Sequence, residues 1–127
     1  MPKFQYSLNG STLKPTPILR KIEVAALAGF TGIELWHDDI DTFVARGGSV
    51  ADVRRALDDQ GLSVPTTIYL GDWFDSTGET YRKAIDESKR RMQQAVELGA
   101  PYVIAGPPGG RADYNLGAEH YRELLEI

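Results

Sequence analysis

Apolar residues recur along this chain in two rhythms. Four short β-prone stretches, Phe4–Leu8, Gly32–Trp36, Val64–Leu70 and Tyr102–Ala105, read as strands. Between them the spacing changes to three and four. Tyr81, Ile85, Ser88, Met92, Ala95 and Val96 make one stripe of an amphipathic helix. Shorter stripes are set by Ile18, Ile22, Ala25 and Ala26, by Val50, Val53 and Leu57, and by Leu116, Tyr121, Leu124 and Leu125. Start signals agree with this parse. Thr16 before Pro17 reads as an N-cap and first helical position, Ser76 with Glu79 has capping-box spacing, and Ser49 with Asp52 is a weaker copy. Gly29, Gly61 and Gly99 each close a helix shortly before the next strand. The predicted order is βαβαβαβα.

The connections are unequal. Helix-to-strand turns are terse (AGFTG, QGLSV, LGAP), whereas strand-to-helix segments are long and polar (NGSTLKPT, HDDIDTFVARGGS, GDWFDST, GPPGGRADYN). In parallel α/β folds ligands bind at the carboxyl ends of the strands, where loops vary on a rigid scaffold, so a site is expected on that edge. Four βα units make either a small doubly wound sheet or half of a (β/α)8 barrel of about 250 residues. With 127 residues, and with RELLEI ending inside a fourth helix, the expectation is half of such a TIM barrel over residues 1–127, completed or paired by another chain. A nucleotide-binding open sheet is disfavoured because neither GxGxxG nor a Walker sequence occurs. Strand order separates the two: sequential neighbours mean a barrel wall, a reversal means the open sheet.

Composition narrows the function classes. Fourteen Lys and Arg against eighteen Asp and Glu give a net charge of −4, so no broad basic face exists for a nucleic acid or an anionic membrane. Nor do about 18 apolar residues follow one another, as a membrane span requires. Cysteine is absent, which removes disulfides, thiolate metal sites and cysteine nucleophiles and fits a reducing, cytoplasmic setting.

Several residues carry candidate chemistry. Glu34 lies in an apolar strand, so it either serves the open end or is a structural carboxylate held by hydrogen bonds. His37, Asp38, Asp39 and Asp41 make an acidic loop with one imidazole, competent for Zn or Mn but without a spacing that converges two ligands; a charged surface loop is the bland reading. Tyr69 and Trp73, near the end of the third strand, are candidates for the apolar wall of a sugar or cyclic polyol site, while Trp36 reads as core. Arg111, in GPPGGRAD, is placed to receive a phosphate or carboxylate, or merely marks a rigid turn. Lys89, Arg90 and Arg91 read as a solvated helix face and His120 as a solvated helix residue without a role.

AGFTGIELWHDDID after an amphipathic helix, the opening FQYSLNGSTL, and VELGAPYVIAGPPGG together resemble the first, second and fourth strands of the sugar-phosphate isomerase/epimerase superfamily, the xylose isomerase-like TIM barrels. GFTGIELW also resembles 3-dehydroshikimate dehydratases. The resemblance implies a divalent metal (Mn, Mg, Co or Zn) held by residues on strands five to eight, none of which is in this chain. It also implies isomerisation or epimerisation through an enediolate in the complete barrel. This half would then supply substrate contacts from Glu34, His37, Tyr69, Trp73 and Arg111, bind no metal tightly and be inactive alone. Its expected partners are a sugar or polyol and either a second copy of itself or a missing C-terminal half. A dehydratase-like half and a non-catalytic binding or assembly module are the alternatives. AP-endonuclease relatives carry metal-binding histidines where this chain has Tyr69-Leu70-Gly71 and Ala105-Gly106-Pro107, which argues against DNA repair.

Overall fold

A computed structural model describes residues 4–127. Its elements run β1 (Ser7–Asn9), a 3-10 turn (Gly10–Leu13), α1 (Ile18–Leu27), β2 (Gly32–Trp36), α2 (His37–Ala45), α3 (Val50–Gln60), β3 (Thr66–Leu70), α4 (Gly78–Glu97), β4 (Tyr102–Ala105) and α5 (Tyr114–Leu124). The four strands form one parallel sheet in the order β1-β2-β3-β4. Sequential neighbours are those of a barrel wall, and among the described residues the strand order shows no reversal of the doubly wound kind. Among the described residues no helix is long and apolar enough to cross a membrane.

Side chains alternate across the strands, apart from the irregularity between Ile68 and Leu70 in β3, and the helices pack on one face. On that outer face Leu8, Ile33 and Leu35 pack with Ile18 and Ile22 of α1, Ile40 of α2, and Val53 and Leu57 of α3. Farther along, Val103 and Ala105 of β4 join Leu70, Trp73, Ala84 and Leu124. The opposite, inner face carries Asn9, Glu34 and Trp36, and on β4 it carries Tyr102 and Ile104, exposed to 73% and 44%.

Local corrections have physical reasons. β1 starts at Ser7 rather than Phe4, although the Tyr6 carbonyl still accepts from the amides of Thr31 and Gly32. β3 starts at Thr66 because Pro65 has no amide to give a ladder. HDDIDTFVA, read as loop, is helix α2: Ile40 and Phe43 anchor it to the core, and Asp38 and Asp39 in its first turn suit the positive end of the helix dipole. Pro17, not Thr16, occupies the N-cap of α1. Ser49 and Asp52 form a reciprocal capping box. Ser76 does not: its hydroxyl donates to the Asp72 carbonyl at 2.5 Å, and Thr77 stands at the N-cap of α4 without a side-chain bond. On α4, Gln94 is buried where the stripe anticipated Val96, which is exposed. Gly29, Gly61 and Gly99 adopt positive φ (86°, 67° and 73°), as helix-closing glycines do.

Candidate functional site

The inner face is polar and aromatic at the carboxyl ends of β1, β2 and β3. Asn9 is its hub. Its Oδ1 accepts from the Ser11 amide (2.9 Å), which fixes the 3-10 turn, and from the Trp36 indole Nε1 (2.8 Å). With the amide oxygen so used, Nδ2 faces Glu34 and donates to Oε2 at 3.2 Å. The register explains the meeting, because Asn9 lies opposite Glu34 and the period-two alternation sends both to one face. Gly10 follows, and a Cβ there would come within 3.0 Å of the Glu34 carbonyl.

Two aromatic rings extend this group. Tyr69, partly exposed, meets Trp36 edge-on, with centroids 6.1 Å apart and planes at 72°. The Lys14 ammonium lies 4.9 Å from the Trp36 centroid. Trp36 is thus half-buried at the ligand edge, not core as its apolar strand suggested. A carboxylate, a carboxamide, a cation and two ring surfaces lie together, a set chemically suited to hydroxyl groups and the C–H face of a sugar ring. Sequence reasoning missed Asn9 and Lys14. Pairing the two strand ends by parity would have found Asn9.

The other candidates lie elsewhere. Trp73 has no exposed surface: its Nε1 donates to the Leu70 carbonyl at 2.9 Å and its ring packs on Phe74 and Tyr121. Arg111 is exposed on the loop after β4 and, among the described residues, hydrogen-bonds to none of the Asn9–Glu34–Trp36 group. His37 is buried between α2 and α4 with Nδ1 2.6 Å from Gln94 Oε1, so that nitrogen carries the proton. Its Nε2 has no hydrogen-bond partner among the described residues. Burial pulls the imidazole pKa below its ordinary value, against the opposing pull of Gln94.

Two members of the acidic run and two of the basic run, both runs read as solvated, are partners: Asp41 with Arg90 and Asp38 with Arg91. Gln94 Nε2 donates to Asp41 Oδ1 (3.2 Å), and Asp41 is bidentate with Arg90 (2.9 and 2.7 Å). Once α2 is helical, His37 and Asp41 stand one turn apart and converge on Gln94, the spacing that a loop reading hid. Asp39 pairs with buried Lys21 of α1 at 2.7 Å. Glu87, held by Arg90 first and also by Arg91, has its carboxyl pulled down to about 2.

His120 is a further correction. Buried, it points Nδ1 at the carbonyls of Trp73 (2.9 Å) and Phe74 (3.1 Å) and stacks on Tyr81 at 3.9 Å. Burial, with the adjoining Glu123 carboxylate, pushes the Tyr81 hydroxyl up to about 12. α5 thereby pins the loop after β3. Beside that loop a groove of about 500 Å³ is lined by Asp72, Asp75, Lys83 and Glu87 among others. It excludes Glu34, Trp36 and Tyr69, and the concentration of ligand-binding groups favours the inner face.

Among the described residues no three His, Asp or Glu side chains could hold a metal ion together. The residues present do not by themselves fit the divalent metal expected for a complete barrel.

A family model described as xylose isomerase-like TIM barrel matches residues 22–127. The chain is 30% identical to 3-dehydroshikimate dehydratase of Pseudomonas aeruginosa and 27% identical to that of Pseudomonas putida, over 84 residues each. Those 84 residues are 66% of this chain and only 13% of either dehydratase. Among solved structures, a xylose isomerase-like TIM barrel/4-hydroxyphenylpyruvate dioxygenase fusion protein superposes with a TM-score of 0.82 at 25% identity, over 98% of this chain and 20% of that one. The IolI protein with a bound zinc atom (TM-score 0.80, 18% identity) and D-psicose 3-epimerase with D-fructose (0.69, 17%) share the fold. This chain covers 96% of its own length in both superpositions, and 45% and 46% of theirs.

Proposed function

The chain belongs to the xylose isomerase-like TIM barrel family as a partial barrel of four parallel βα units, and from that we propose that it forms the β1–β4 substrate-binding wall of an enzyme acting on a carbonyl-bearing sugar or cyclic polyol. One observation carries the reading. Asn9, Glu34, Trp36 and Tyr69 gather on the inner face at the carboxyl ends of three strands, the end where barrels of this architecture bind ligands. Asn9 and Glu34 bind substrate hydroxyls, the Trp36–Tyr69 pair packs the ring face, and Glu34 is the group here able to accept a proton beside a carbonyl.

The reaction is isomerisation or epimerisation. Elimination of water is the second reading, supported by the similarity to two 3-dehydroshikimate dehydratases. A divalent metal would polarise the carbonyl, and its donors lie outside this chain, which therefore binds substrate without turning it over. Four further βα units, in the same polypeptide or in a partner, complete the barrel over Tyr102 and Ile104 of β4.

Calorimetric titration of the chain with D-fructose and with 3-dehydroshikimate tests this. We expect saturable binding of one of them, weakened at least tenfold in Glu34→Gln with little change in melting temperature. Binding of neither by the folded chain would refute the reading. So would a Glu34→Gln variant that melts earlier yet binds as well, the signature of a purely structural carboxylate.

A further inference from the structure

We propose that Arg91, on the outer helix layer, is a positioning residue that sets the opening between Trp36 and Tyr69 on the inner face; this rests on the reading of that face as the ligand site. Arg91 lies mid-way along α4 in a run of three cations, yet its side chain is only 16% exposed. All parts of its guanidinium are engaged. Nε donates to Glu87 Oε1 (2.9 Å), Nη2 to Asp38 Oδ1 (2.8 Å) and Nη1 to the main-chain carbonyl of Tyr69 (2.8 Å).

The two far contacts sit at the two strand ends that make the site. Asp38 is in the first turn of α2, directly after Trp36 ends β2. Tyr69 sits at the register shift in β3, where Ile68 pairs with Ile104 and Leu70 with Ala105, so no β4 residue stands opposite it. Its carbonyl takes the arginine instead. One rigid fork thus ties the ends of β2 and β3 from behind, while the inward rings of Trp36 and Tyr69 meet in front. The line continues from Trp36 through Asn9 to Glu34. The guanidinium spreads its donors over three separate nitrogens in a fixed plane, whereas the three donors of an ammonium radiate from one nitrogen and cannot span the same acceptors. Arg90 is the natural control: 45% exposed, bonded to Asp41 and Glu87, and bonded to neither strand end.

Arg91→Lys and Arg90→Lys are compared by nitrogen-15 NMR of the two tryptophan indoles, by thermal melting and by titration with the better-bound of the two probes above. Arg91→Lys should shift and broaden the Trp36 indole signal and weaken the probe roughly tenfold, the scale of a lost charge-assisted hydrogen bond. Arg90→Lys should leave Trp36 and affinity unchanged even where it lowers the melting temperature as far. The proposal fails if Arg91→Lys moves only the melting temperature, or if Arg90→Lys moves Trp36 equally. Should Arg91→Lys not fold, scalar coupling in the wild type between the Arg91 guanidinium and the Tyr69 carbonyl carbon decides: its presence supports the tie and its absence overturns it. If the wild type binds neither probe the ligand reading falls, whereas the Trp36 signal still decides what Arg91 does.

Discussion

The two faces of this sheet are finished to different degrees. On the outer face Leu8, Ile33, Leu35 and Val103 meet five helices supplied by the same chain, and the helices are further tied by Lys21–Asp39, Asp41–Arg90 and Asp38–Arg91. The inner face is divided. Around β1 and β2 its polar atoms bond one another, and around β4 it presents Tyr102 and Ile104 to solvent. Polar groups that satisfy each other tolerate water, whereas large apolar side chains at a sheet edge call for a covering surface. The inner face therefore divides into a polar, aromatic region and an exposed apolar one, and the boundary between them runs along β3.

The largest contrast lies in core truncation. Leu35→Ala, on the outer face, should lower the unfolding free energy by about 2–5 kcal/mol. Ile104→Ala, four-tenths exposed, should change it by about 0.5 kcal/mol or less in the chain by itself. Urea denaturation of both variants measures the pair, and equal losses would mean that the inner face already packs within the chain. The same face is expected to associate, with a second copy or with the complementary βα units. Replacing both Tyr102 and Ile104 by lysine should abolish that association in sedimentation velocity without lowering helix content. A wild-type chain that stays monomeric at every concentration and ignores a complementary half would remove β4 as an interface.

Much of this division was legible in the amino-acid pattern, and the failures share a cause. Strands β2 and β4 fall where β-prone stretches predicted, because buried parallel strands are short continuous apolar runs. Glu34 and Tyr69 stand out for the same reason, as residues interrupting or ending such runs, and the structure sets them beside Asn9 and Trp36. What escaped depends on partners distant in sequence. His37 and His120 look solvated among charged neighbours, yet Gln94 buries one and the carbonyls of Trp73 and Phe74 bury the other. Asn9 looks like a turn residue until the register sets it beside Glu34. Local spacing reports which face a residue takes, and says little about which remote group waits there.

The tie between α2 and α4 should make stability depend on pH in two windows. Buried His37 titrates below its ordinary 6.5 in the folded chain, so the unfolded chain takes up its proton first. That contribution is complete above about pH 6.5 and is lost as pH falls through the lowered folded value. Glu87, whose folded value is about 2, loses its contribution lower still, as pH drops from the ordinary carboxylate range toward about 2. Melting temperatures across pH 3–8 for the wild type and His37→Gln check the assignment. The variant should lose the upper window and keep the lower one, and retention of both would place the upper titration elsewhere.

The smallest effect concerns two serines that look equivalent by spacing. Ser49 follows another helix, and its Oγ accepts from the Asp52 amide (3.1 Å) while Asp52 Oδ2 accepts from the Ser49 amide (3.0 Å), satisfying two amides at the start of α3. Ser76 follows the ligand-edge loop after β3. There the Asp72 carbonyl, on a residue with φ of 63°, captures its hydroxyl before α4 begins. Ser49→Ala should therefore cost about 1 kcal/mol of unfolding free energy, and Ser76→Ala less than about 0.5 kcal/mol, because an exposed loop bond exchanges readily with water. Ser76→Ala should instead speed amide hydrogen exchange across Asp72–Thr77. A cost for Ser76→Ala equal to that of Ser49→Ala would show Ser76 capping α4 after all, and would move that loop from the ligand edge into the helix layer.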